Sequence, residues 1–321
     1  MAIGTVLAPI GLVLASFTTQ IWQLYLTRGL MFGLGGSCAF ASCVTLPSQW
    51  FYKNRGLATG IAVAGGGIGG VIFSSLTRYL ITELGYRNAL RVIALICFGA
   101  LCLATGLLRS RWRPPPSTSQ GFLGVFWDRS MATSSFAFCL VFSVIVTFSY
   151  MGPFFLAPSY VLHLSEDAQL GSVLLSIMCG MNAISRVFLG FVSDRLGKCN
   201  TLFICTLVAG LLVTLIWQYS NGYGSFTVFC VLYGLTGGGW VSLLPPLIAQ
   251  IVGVKHIQRG LSLCYFVSVF GNLSGPPIIG HLQTSYGWTA AIQFTGAVTL
   301  VSSLIMLIVR FTMQQKVIAY V

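Results

Sequence analysis

The 321-residue chain is 56% hydrophobic and only 7% charged, with a mean hydropathy of +0.88. A soluble domain carries about 25% charged residues, so these values exclude a soluble globular protein and define a polytopic membrane protein. The net charge of +12 does not indicate nucleic-acid binding, because the bases stand singly between apolar stretches instead of clustering in one segment.

The chain is apolar from its first residues, Met1 to Phe17. A secretory leader needs a basic start and a cleavage site, so this stretch reads as a helix that stays. A span of roughly 20 apolar residues crosses a bilayer as a helix. The sequence offers ten: Ile3–Ile21, Leu24–Trp50, Leu57–Leu80, Ala89–Leu108, Thr133–Leu156, Leu170–Val192, Thr201–Trp217, Phe226–Ile251, Leu261–His281 and Ala290–Phe311. The expected fold class is therefore an all-α membrane protein.

The loops alternate in charge. One set carries Lys53 and Arg55, then Arg109, Arg111, Arg113 and Arg129, then Arg195 and Lys198, then Lys255 and Arg259, and last Arg310 and Lys316. The other carries Glu83 with Arg87, then Glu166 and Asp167, then two uncharged loops. Basic loops belong in the cytosol, which puts both termini there. The longest loop holds Pro114, Pro115 and Pro116 with a Ser/Thr cluster, the composition of a linker. It divides the chain into residues 1–108 with four helices, a cytosolic linker at 109–130, and residues 131–321 with six.

An internal repeat accounts for that uneven division. Asn54-Arg55-Gly56-Leu57 matches Gln258-Arg259-Gly260-Leu261, Gly85-Tyr86 matches Gly287-Trp288, and Gly33-Leu34-x-Gly36 matches Gly234-Leu235-x-Gly237. Helices one to four thus correspond to helices seven to ten, while helices five and six have no counterpart. Transporters are often built from repeated halves with the substrate site between them.

The ten cysteines fall mostly in apolar spans, where Cys acts as a small hydrophobe. No C-x-x-C pair occurs, and His163, His256 and His281 are far apart, so neither a disulfide framework nor a metal site is expected. No cofactor is expected. Without H-E-x-x-H, paired intramembrane carboxylates or a Ser/His constellation, the chain does not read as an enzyme.

The most informative stretch is Cys179–Lys198. It holds Asn182 and Arg186 inside an apolar helix and ends in Gly190-x-x-x-Asp194-Arg195-x-Gly197-Lys198. A charge inside a membrane helix is costly and marks a candidate functional site. Arg186 lies eight residues before Asp194, about 12 Å along a helix, so snorkelling toward the interface and facing an interior cavity are both open. A planar guanidinium suits carboxylates, and Asn182 shares its helix face. Asn182 also suits a plain interhelical hydrogen bond. Tyr150, Phe154, Trp240 and Tyr265 are candidate pathway aromatics. Packing alone also explains the glycine run Gly65-Gly66-Gly67-x-Gly69-Gly70, Gly271-x-x-x-Gly275-Pro276-Pro277, and the prolines Pro153, Pro158, Pro245 and Pro246. Arg28 is a second membrane arginine, near an outer helix end, where it suits an interfacial anchor.

The Gly190–Lys198 turn resembles the G-x-x-x-D-R-x-G-R/K signature of the major facilitator superfamily. Asn182-x-x-x-Arg186 resembles its monocarboxylate-transporter-like branch, and its fungal members in particular. The resemblance implies a helical bundle of six plus six helices, here apparently without the first two, and a secondary transporter moving a small organic solute by alternating access. It implies that Arg186 and Asn182 contact substrate, and that Gly190, Asp194, Arg195, Gly197 and Lys198 form a cytosolic gate, with Asp194 pairing to a base or a helix N-terminus. The position of Asn182 is a proton-coupling aspartate in the well-known carriers. None of the five acids here lies mid-membrane, which leaves proton coupling open. The family's R-x-x-x-G pattern is one residue out of step at Arg28 and Gly33. The implied partners are a small-molecule substrate and the bilayer, in a plasma or vacuolar membrane. A non-transporting fragment or sensor of the same fold is the alternative reading.

Overall fold

The computed structural model describes residues 1–51, 53–108, 131–164 and 168–313. The expected linker at 109–130, Glu166 with Asp167, and Lys316 lie outside the described residues. The described chain is helical almost throughout. Helix α1 is Ala2–Ala15, α2 is Ile21–Trp50 and α3 is Arg55–Leu107. Helix α4 is Ser134–His163, α5 is Ala168–Leu196, α6 is Lys198–Trp217, α7 is Tyr223–Ile251 and α8 is Ile257–Met313.

Among the described residues, eight candidate membrane spans are long and apolar enough to cross a bilayer, against the ten expected. Two local features explain the difference. Helix α1 is apolar but only 14 residues long, and α8 runs as one 57-residue element with a break at Gly287, φ 85° and ψ 177°. Helix α3 breaks in the same way at Gly85, φ 75° and ψ 162°. A positive φ with extended ψ is a conformation for glycine alone. The repeated Gly85 and Gly287 thus turn one apolar helix into the next without a loop.

Prolines mark other interruptions. Pro153 follows the Met151 turn that separates Ser134–Tyr150 from Gly152–His163 within α4. A proline lacks the N–H that would continue the helix ladder. Helix α2 contains a π-helical segment, Tyr25–Met31, and α6 ends in another, Leu212–Trp217.

The described chain forms two compact units. One comprises Met1–Trp50 with Gly69–Arg113, and the other Phe51–Ile68 with Pro114–Val321. The first turns of α3 therefore belong to the second unit. In the first unit the buried cluster is small: Leu12, Ala15, Leu90 and Ala94. Thr5 and Thr105 share a hydrogen bond of 2.7 Å, and the Arg91 guanidinium lies 4.7 Å from the Phe17 ring while its Nε donates to Ser16.

The second unit holds a far larger core. Leu174 and Met178 of α5, Trp217 of α6 and Phe226, Phe229 and Tyr233 of α7 are almost wholly buried. The Tyr160 ring stands 4.7 Å from Phe226, and its hydroxyl donates to the Ser220 carbonyl at 2.9 Å. Helices α4 and α8 are joined by small polar side chains. Ser268 donates to the Ser143 carbonyl, Thr147 to the Ser268 carbonyl, and Thr299 to Ser149. In lipid the hydrophobic effect does not drive helix association, so close packing and such bonds hold helices together. All ten cysteines are free.

Candidate functional site

Helices α3 and α5 approach to backbone contact inside the second unit, and this contact builds both parts of the site. At one end Gly56 faces Gly190: a Cβ on Gly190 would collide with the Gly56 carbonyl, and one on Gly56 with Ser193 and Gly190. Further along, a Cβ on Gly60 would collide with the Arg186 carbonyl. Only glycine lets the helices come this close.

The close approach carries the Asp194 carboxylate to the N-terminus of α3. Its Oδ1 accepts from the Gly56 N–H at 2.9 Å and its Oδ2 from the Leu57 N–H at 2.9 Å. These N–H groups are among those a helix leaves unpaired at its start. A carboxylate there gains two charge-assisted bonds, each worth about 1.5–3 kcal/mol, and a favourable helix dipole. Of the partners expected for Asp194, the structure shows the helix N-terminus. Arg195 turns outward, its guanidinium 4.5 Å from the Phe191 ring. Lys198 lies within electrostatic reach of Asp194 and Arg55. Gly197 sits at φ 94° and ψ 145°, which lets α5 end and α6 begin within one residue.

Two turns before Asp194, Arg186 is half-buried against α3. Its Nη1 donates to the Val63 carbonyl at 2.8 Å. Its Nε is shielded from solvent and finds no acceptor among the described residues. Through its Nη1 bond the guanidinium is held to the α3 backbone. Asn182, 3% exposed, donates from Nδ2 to the Tyr150 hydroxyl at 3.3 Å. This is an interhelical bond, α5 to α4. Gly238 of α7 closes over the amide, since a Cβ there would lie 2.8 Å from Asn182 Nδ2.

The four candidate aromatics meet at the same place. Tyr150 is 5.4 Å from Phe154 and 6.0 Å from Trp240, and Trp240 is 6.2 Å from Tyr265, ring centre to ring centre. Edge-on aromatic pairs at such spacings are mutually favourable. The Arg186 charge reaches Tyr150, Tyr265 and Cys179. The buried Trp240 has an Nε1–H with no acceptor among the described residues. All six residues expected to line a substrate path thus form one cluster, drawn from α4, α5, α7 and α8.

Three contributors were not anticipated. The Val63 carbonyl offers no side-chain signal. Tyr233 donates to the Tyr150 carbonyl at 3.1 Å, and its ring lies tilted 5.9 Å from that of Phe154, supporting the cluster from behind. Cys179 was legible in principle, because positions 179, 182 and 186 share one helix face. No group of three or more His, Cys, Asp or Glu residues suited to a metal occurs among the described residues.

The model of the Major Facilitator Superfamily matches residues 1–241 and 155–317 of this chain. Among curated relatives, the MFS-type transporter opdF of Penicillium oxalicum is 28% identical over 309 residues, covering 95% of this chain and 72% of the relative. The MFS transporter asaE of Aspergillus flavus is 30% identical over 299 residues, covering 92% and 67%. The agnestins efflux protein AgnL12 of Paecilomyces divaricatus is 29% identical over 313 residues, covering 96% and 70%. Among solved structures, the Escherichia coli fucose:proton symporter FucP superposes with a TM-score of 0.75 at 13% identity, covering 96% of this chain and 82% of FucP. The human organic anion transporter MFSD10 superposes at 0.73 and 13%, covering 94% and 75%. Fold and relatives together define a multi-pass membrane secondary transporter of a small molecule, not an enzyme. The chain belongs to the Major Facilitator Superfamily.

Proposed function

We propose that this carrier moves a small organic anion, a monocarboxylate or related metabolite, by alternating access, and that it belongs to the monocarboxylate-transporter-like branch. One observation supports this above the rest: a guanidinium held in an aromatic-walled interior with one N–H left without an acceptor. Planar guanidinium groups pair two-pronged with carboxylates, and Trp240 supplies a second shielded donor. The relatives named as efflux proteins support export of a secreted metabolite as the direction.

On this reading Arg186, Asn182, Tyr150, Phe154, Trp240 and Tyr265 hold the solute. Gly190, Asp194, Arg195, Gly197 and Lys198 form the cytosolic gate, closed by the Asp194 bonds and opened when the α3 and α5 ends part. Residues 1–108 and 131–321 are the two bundles. Both termini are cytosolic, in a plasma or vacuolar membrane. Among the described residues, neither Glu83 nor Asp194 joins the Arg186 cluster.

The test is transport of radiolabelled aliphatic and aromatic monocarboxylates in a transporter-deficient host. Arg186→Gln is expected to lower transport at least about tenfold, the order of one lost charge-assisted bond, with unchanged membrane abundance. Equal transport by parent and variant sinks the assignment.

A further inference from the structure

The first unit contains a cavity of about 280 Å³, near the lower end of the ~300–1,000 Å³ typical of small-molecule sites. It lies among α1, α2 and the two arms of α3 on either side of the Gly85 break. Its apolar wall includes Leu12, Phe32, Phe73 and Leu90. Three polar side chains line it as well: Arg28, Thr77 and Tyr86. None of the three makes a side-chain hydrogen bond or ion pair with a described residue.

The backbone around Arg28 is unusual. Arg28 sits within the π-helical segment Tyr25–Met31, and π turns inside α-helices are rare and concentrate at functional sites. None of the segment's residues is buried, but one side of it meets α1. Helix α1 closes on it through Gly11, where a Cβ would lie 2.9 Å from the Thr27 carbonyl and 2.9 Å from the Phe32 nitrogen. An arginine that only anchored the helix at the membrane surface needs no cavity beside it.

We infer that this cavity is a second binding site, for a small amphipathic anion. Its anionic head pairs with the Arg28 guanidinium and accepts from Thr77 and Tyr86, and its flat apolar body lies against Phe32, Phe73 and Leu90. A carboxylate or phosphate on an apolar body meets this chemistry, whether it arrives as a dissolved organic anion or as a membrane lipid. The first unit alone supplies every residue, so the inference does not depend on Arg186.

The experiment uses the full chain carrying Arg186→Gln in phosphatidylcholine nanodiscs, titrated calorimetrically with 2-naphthoate. Saturable binding is expected, weakened at least about tenfold by Arg28→Gln and less by Arg28→Lys, since a point charge replaces a fork. Leu90→Trp, which fills the cavity with Arg28 intact, is expected to weaken binding comparably. Thermal unfolding checks that each variant is folded. Repeating the titration with phosphatidylserine in the disc separates the two sources. Competition that disappears in Arg28→Gln identifies lipid as the occupant, and unchanged affinity identifies the dissolved anion. No binding to the parent, or binding by Arg28→Gln and Leu90→Trp as tight as the parent's, overturns the inference.

Discussion

The two units carry the same repeated motifs and pack them differently. In the second unit a Cβ on Gly234 would lie 2.8 Å from the Met178 carbonyl, and one on Gly237 would press on the Tyr233 and Tyr150 rings. Their counterparts in the first unit, Gly33 and Gly36, have nothing within 4 Å. Gly275 meets the Phe148 backbone, whereas Gly69 and Gly70 face open space. The apolar windows of Ile21–Trp50 and Tyr79–Leu107 are 22% and 11% buried, against 50% for Ser134–His163 and 61% for Tyr223–Ile251. The partners that fill the Gly234 and Gly275 faces are α5 and α4, the two helices without a repeat counterpart. A small-residue motif creates the opportunity for close approach, and a facing helix must take it.

The comparison breaks most readily at glycines that do and do not meet a facing helix. Gly275→Ala is expected to destabilise by about 3 kcal/mol or more, because overpacking a backbone contact strains both helices. Gly33→Ala is expected to leave the unfolding midpoint unchanged or raise it slightly, by the ~0.5 kcal/mol scale of helix propensity. Thermal unfolding in detergent, read by intrinsic fluorescence, compares them, and equal losses contradict the packing contrast.

The next largest effect is expected at the α3–α5 contact. Asp194→Ala removes two charge-assisted bonds to the start of α3 and should cost about 2–4 kcal/mol. Asp194→Asn, which keeps one acceptor oxygen, should cost less. The order of the two midpoints is the check.

Single interhelical side-chain bonds should matter least, and about equally in the two units. Tyr150→Phe removes the acceptor of Asn182, and Thr105→Val removes the partner of Thr5. Each is expected to cost about 1 kcal/mol or less. A much larger loss for Thr105→Val would show that the first unit is more tightly held than its exposed faces suggest.

Much of the site was readable before the structure. Gly190, Asp194 and Gly197 point to a helix end, seen at Gly197, and to an acid, whose oxygens accept from the Gly56 and Leu57 N–H groups. Arg186 stands out because charge is rare in lipid. What stayed hidden was relational. The acceptor of Arg186 is a backbone carbonyl 123 residues away, and carbonyls carry no residue signature. Tyr233 joins the cluster through another backbone acceptor, the Tyr150 carbonyl 83 residues away.

The order of residues alone determined that this is a membrane protein of apolar helices, repeated in part, with one arginine inside the helix that leads to the DRLGK turn. Those properties are local: hydropathy, spacing and scarcity of charge act along a single helix. Only the tertiary structure decided which glycine faces are filled, that Arg28 sits in a π-helical segment, and which groups surround Arg186. The facing surface of a membrane helix comes from distant parts of the chain, and lipid supplies no hydrophobic pattern to reveal it.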